Sequence, residues 1–326
     1  MLIQFFKNNN PSSFIFIPLF ALVLWIAGFF SQQDRVIKYT LPLYEVIAKP
    51  LNSFHFIATL IALILVVSEA LLLNYIVNEN EILVKPSFLP ALFYVVFMSN
   101  DPRMLMAYPL LFANFFILLG IHKIVSSYRK DIAFSNAFDA GVLFSLATLF
   151  YFPSIVFIPL LGVGFVLFRP FIWREWVISF MGILLPHLFV ISYYFWNDSF
   201  VTDEIGKMFY PSLRNKSNLD FSQHFYFILS VGWLIVLFSF GKLFAGSSEG
   251  SQKNKKSIRL LVWFSCLALI SVFIAREVSV QSFSALAIPS SVFCANYFLK
   301  IKKKWWDEFL FFILLITVIV NQILNY

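Results

Sequence analysis

Long apolar runs, broken by short polar stretches, are the dominant pattern of the chain. Runs near or above about 18 apolar residues read as membrane spans. They fall at about 14–30, 52–77, 87–99, 104–122, 138–151, 152–168, 176–196, 222–244, 259–275, 283–299 and 306–325, which makes about 11 spans, with 9–11 as the range. The 87–99 run is short. As one helix, 138–168 would extend about 46 Å, well beyond a hydrocarbon core of about 30 Å. Pro153, after Tyr151 and Phe152, therefore predicts two short helices meeting at a turn. The fold class expected is an all-α, polytopic transmembrane helix bundle.

The polar stretches set the organisation. A first outer loop runs from Ser31 to Leu51 and another from Asn197 to Asp220. The Gly-, Ser- and Lys-rich stretch at 245–258 reads as a cytoplasmic linker. It separates an N-terminal bundle of about eight spans, 1–244, from a C-terminal group of three, 259–326. With the N-terminus inside, two thirds of the 24 Lys and Arg residues fall on inner segments, including the clusters at 253–259 and 300–304. This is the asymmetry expected of a multi-pass protein of the bacterial inner (cytoplasmic) membrane. Trp173, Trp176, Trp305 and Trp306 fall at expected interfaces. The first run, from Phe14, reads as a retained anchor and not as a cleaved signal.

Composition narrows the function classes. The 326 residues are 60% hydrophobic and 13% charged, with a mean hydropathy of +0.83. A soluble domain carries roughly twice that charged fraction, so a soluble enzyme and a nucleic-acid-binding protein are excluded. The net charge of +7 and pI near 9.3 follow from the inner-face bias and imply no nucleic acid partner. Forty-three phenylalanines read as generic lipid-facing bulk.

Within the spans, polar residues are few. On the second span His55, Thr59, Ala62, Val66 and Glu69 recur at helical spacing as a small-to-polar stripe facing the bundle interior. Glu69 and His55 are thus intramembrane polar candidates, Glu69 being either a buried acid lining a site or an interior hydrogen-bonding group. Asp139 reads as a helix N-terminal cap. Ala287, Ser291 and Ala295 form a small-residue seam for close helix packing. Cys266 and Cys294 lie in apolar runs, and His55, His122, His187 and His224 have no paired spacing, so no metal ligand set is expected. Two acids lie in outer loops: Asp34, followed by Arg35, and Asp101 in Ser99-Asn100-Asp101-Pro102-Arg103. Such carboxylates with neighbouring arginines can hold a metal or act as a base beside a phosphate-bearing lipid, or can serve as interface residues between spans.

The segments DPRMLMAYPLLFANFFILLGIHKIV and AFDAGVLFSLATLFYFPSIVFIPLLGVGFVLFRPFIWREW resemble the membrane core of GT-C-fold glycosyltransferases that use polyprenyl-phosphate sugars. The resemblance implies Asp34 and Asp101 as catalytic acids, with Arg35, Arg103 and Arg276 as lipid-phosphate partners. It also implies a polyprenyl-phosphate carrier, and a divalent metal if the chain is an active transferase. The tight turn departs from that family, carrying Phe152 where a lysine is usual. Through YFPS and RPFIWREW the chain also resembles an uncharacterised family of inner-membrane proteins from Bacteroidota. Two other readings stay open: a non-catalytic subunit with a protein partner in a cell-envelope complex, and a transporter or flippase-like protein with Glu69 as coupling acid.

Overall fold

A computed structural model of the chain describes residues 2–8, 11–30, 41–196, 251–275, 279–301 and 303–324. Among them there is helix and no strand. The described α-helices, numbered in chain order, are α1 (Leu2–Lys7), α2 (Ser13–Phe30), α3 (Pro42–Ser53), α4 (His55–Glu79), α5 (Leu89–Met98), α6 (Pro109–Val125), α7 (Phe134–Phe150), α8 (Pro159–Phe168), α9 (Trp173–Trp196), α10 (Gln252–Ile274), α11 (Ala287–Lys300) and α12 (Lys304–Leu324). Short 3-10 turns lie at Pro102–Met104, Phe152–Phe157 and Val280–Leu286.

Proline sets many of these boundaries. Pro42, Pro90, Pro109 and Pro159 open α3, α5, α6 and α8, where the missing N–H is not needed and the fixed φ already suits the helix. Pro153 ends α7, because it has no N–H to offer the carbonyl four residues back. Ser251 opens α10, its hydroxyl accepting from the Asn254 N–H at 3.2 Å. So α10 begins within the stretch expected to be a linker.

Six described helices are long and apolar enough to cross a membrane: Ser13–Phe30, His55–Glu79, Trp173–Trp196, Gln252–Ile274, Val280–Lys300 and Trp305–Leu324. The other apolar helices have 10–17 residues. The expected span at 222–244 lies outside the described residues. Burial separates core from periphery. The Val280–Lys300 span is 78% buried in the bundle, while Trp173–Trp196 is only 17% buried and exposes Phe180, Leu188, Phe189 and Phe195. The exposed apolar faces of α2, α4, α9, α10 and α12 are those of a protein solvated by lipid chains.

The core is continuous from Ile3 to Val318. Here α11 packs against α5, and the small-residue seam of α11 is interior, with Ser291 and Ala295 fully buried. Glycines let α7 and α9 touch backbone to backbone: a Cβ on Gly141 would lie 2.3 Å from the Ser179 carbonyl oxygen, and one on Gly182 2.4 Å from that of Phe138. Phenylalanine is not only lipid-facing bulk. Phe93, Phe144, Phe157, Phe264, Phe298 and Phe311 are interior, and the Phe93–Phe298 and Phe157–Phe264 rings lie 4.8 and 4.9 Å apart.

The bundle has two chemically different ends. At one, Lys7 pairs with Asp307, the Phe88 N–H donates to Phe6 O, Asn254 donates to the Glu81 and Ile82 carbonyls, and Lys256 lies over the Tyr128 ring. Asp139, expected as a cap, instead lies inside α7 and pairs with Lys123 at 2.7 Å. Arg169 and Glu175, the first arginine and the glutamate of RPFIWREW, form a buried ion pair. The guanidinium bonds both carboxylate oxygens at 3.0 and 2.5 Å and the carbonyls of Ser127, Lys130 and Asp131. Nearly all the described Lys and Arg residues collect at this basic end. The opposite end, where α2 stops and α4 starts, is sparse in charge.

Candidate functional site

The sparse end is organised by a break in a helix. With 10 residues, α5 is about 15 Å long, half a bilayer core. Beyond it, residues 99–108 are non-helical apart from one 3-10 turn, and most of them are buried. Irregular backbone at such a depth must have its polar groups met by protein, and here side chains from distant helices meet them. Gln322 donates to the carbonyls of Leu24 and Ser99, and Asn321 to that of Asn100. Gln281 reaches Arg103 O at 2.6 Å, and the Tyr44 hydroxyl reaches Ala107 O at 3.1 Å. The Trp25 indole donates to the Ser99 hydroxyl at 3.0 Å. On α2, Gly28 allows contact with this loop, since a Cβ there would lie 2.8 Å from that of Leu105.

Within the loop, Asp101 is fully buried and caps the 3-10 turn, its Oδ1 accepting from the Arg103 N–H at 2.9 Å. The Arg103 side chain folds back in a two-pronged contact, Nε to Oδ1 at 2.9 Å and Nη2 to Oδ2 at 3.0 Å. The Arg103 side chain is 41% exposed while the carboxylate is wholly buried. Both Asp101 oxygens are thus engaged, and the guanidinium is fixed in direction with donors left over.

A second polar group lies deeper. Glu69 is fully buried on α4, about 21 Å along the helix from His55 and about 15 Å from Glu79. Its Oε2 accepts from the Tyr94 hydroxyl at 2.7 Å, and its Oε1 has no partner. Tyr108, also buried, has its hydroxyl beside Ser284 and lies within electrostatic reach of Glu69 and Tyr94. Asn114 on α6 donates to the Ser284 hydroxyl at 3.3 Å, and its own Oδ1 is unpartnered. Two hydrogen-bonded pairs, Glu69–Tyr94 and Asn114–Ser284, thus lie in the interior, with Tyr108 beside Ser284 and within electrostatic reach of Glu69.

Of the residues singled out by sequence, Asp101 and Arg103 come together, and Glu69 faces the interior as its stripe implied. His55 lies at the same end as the Asp101 loop, its Nε2 3.0 Å from Gly28 O. Asp34, Arg35 and Arg276 lie outside the described residues. Among the described residues, no group of three His, Cys, Asp or Glu side chains is arranged to hold a metal. Sequence reading missed Tyr94, Tyr108, Asn114 and Ser284. The available signal was an isolated amide in an apolar run, as at Asn114.

The chain belongs to a family of unknown function, DUF6427, which it matches over residues 12–326. No curated protein matches the chain, and no solved structure matches it.

Proposed function

We propose that this chain is a multi-pass protein of the inner membrane that receives a phosphate-bearing lipid at its outer face, in the manner of a transferase using polyprenyl-phosphate sugars. The excess of Lys and Arg at the basic end supports a cytoplasmic position for it, with the junction of α2 and α4 outward. The observation that carries the reading is the buried Asp101 carboxylate, whose two oxygens hold a partly exposed Arg103 guanidinium at the outer end of the bundle. Guanidinium is suited to phosphate because its planar fork offers several fixed N–H donors. An arginine already oriented by a buried partner loses little conformational entropy when it binds.

This reading changes the role of Asp101. With both oxygens engaged it is a positioning residue, and base chemistry, if the chain performs any, falls to Asp34. A non-catalytic lipid-binding subunit is the second reading, favoured by the same full engagement of Asp101.

The test uses the full chain purified in a mild detergent, with retained lipids read by mass spectrometry. Wild type is expected to retain polyprenyl phosphate above its share of the membrane lipid, and Arg103→Ala to lower that enrichment about ten-fold, the worth of one charge-assisted contact. Equal retention by both proteins, at equal size-exclusion profiles, would remove Arg103 as the receptor. Asp34→Asn then separates the two readings, since only a transferase loses turnover while keeping the lipid.

A further inference from the structure

The interior group around Glu69 has a property the outer loop lacks. Asp101 has its counter-charge in Arg103, whereas among the described residues no ion pair reaches Glu69. A carboxylate in the middle of a bundle with no cation beside it is strongly disfavoured, so something must answer its charge. A proton would answer it on Glu69 but would leave Asn114 Oδ1 without a partner. Water would bridge polar atoms and leave the charge. A bound cation answers the charge and engages the orphaned oxygens together.

We propose that Glu69 Oε1, with oxygens of Tyr94, Tyr108, Asn114 and Ser284, forms a binding site for one monovalent alkali cation in the middle of the membrane. The donor chemistry selects the ligand. Every candidate donor is a hard oxygen, which suits alkali and alkaline-earth ions over zinc or copper. The set carries a single formal negative charge, which one monovalent ion balances and a divalent ion exceeds. The donors come from α4, α5, the stretch before α6, α6 itself and the 3-10 turn at Val280–Leu286, so an ion there would tie these elements together. Tyr94 lies on α5 and Tyr108 at the far end of the broken stretch that follows it, so the group borders a discontinuity in the helix. A discontinuous helix is where ion sites of membrane proteins are commonly built, because interruption frees backbone carbonyls at depth.

The site is independent of the lipid reading, and the experiment keeps them apart. The purified full chain is unfolded thermally in choline chloride, then in mixtures with NaCl or KCl at constant ionic strength. Binding to the folded state alone raises the midpoint with the logarithm of the cation concentration. The rise is expected in wild type and in Glu79→Gln, whose carboxylate is partly exposed, and is expected to vanish in Glu69→Gln. Tyr108→Phe, which removes one oxygen and keeps the ring, should need about ten times more cation for the same rise, a loss of about 1.4 kcal/mol. It serves as the decisive variant if Glu69→Gln does not fold. In parallel, dicyclohexylcarbodiimide, which enters bilayers and reacts with protonated carboxyls, should label Glu69 in cation-free medium, and NaCl or KCl should protect it. A wild-type midpoint indifferent to both cations would overturn the site, as would an equal rise in Glu69→Gln. Labelling of Glu69 that neither cation slows would overturn it too, and would make the residue a proton-only carboxyl.

Discussion

Asp101 and Glu69 are both carboxyl groups with no solvent exposure, one in a loop at the charge-poor end and the other mid-helix. Asp101 accepts from a backbone N–H and from two nitrogens of Arg103. Glu69 accepts from one phenol, and its other oxygen has no partner. Burial is therefore not what distinguishes these two acids. The separation lies in whether the fold completes the acid's hydrogen bonds and charge. Arg169 and Glu175 at the basic end extend the first category, with a guanidinium bonded to a carboxylate and to three carbonyls.

The contrast breaks most visibly at the basic end. Arg169→Ala leaves Glu175 buried without its cation, and such truncations destabilise by about 3–5 kcal/mol. The expected result is a large fall in unfolding midpoint and a shift to aggregate on size exclusion; a midpoint near wild type would mean the pair contributes little. Asp101→Asn keeps the shape but loses the charge, with an expected cost of about 2 kcal/mol. Its cost should exceed that of Arg103→Lys, because only the aspartate is fully desolvated. The smallest effect is expected at Glu69. In cation-free medium Glu69→Gln should change stability by less than about 1 kcal/mol, since it exchanges a carboxyl that is neutral without its cation for a neutral amide that keeps an acceptor for Tyr94. A loss as large as that of Asp101→Asn would place the two acids in one category and end the comparison.

Much of this architecture is legible in the amino-acid pattern, for a physical reason. Lipid imposes apolar runs of fixed length, so α2, α4, α10 and α12 can be placed from sequence to within a few residues, α10 excepted at its polar N-terminal turns. The Glu69 stripe was visible because it lies on one helix and obeys one period. What escaped was whatever depends on pairing between distant segments. Tyr94 sits in an apolar run where nothing local distinguishes it from packing bulk, and only the fold brings its hydroxyl to Glu69. Residues 42–51 looked like loop because they hold charges and two prolines. They lie in α3, which buries Tyr44 against the Asp101 loop. Asp139 looked like a cap because its partner, Lys123, belongs to the preceding helix.

The way the broken stretch after α5 is completed bears on how the chain is made. The carbonyls of Ser99 and Asn100 are met by Gln322 and Asn321, more than two hundred residues later in synthesis. Through most of translation those carbonyls must stay in contact with water, with lipid headgroups or with the insertion machinery. The waiting ends only when α12 enters and slides its paired amides beneath them. At the other end of α12, Asp307 meets Lys7 of α1. The first and last described helices thus meet, and a chain cut short before Asn321 would leave the Ser99 and Asn100 carbonyls without the amides that meet them.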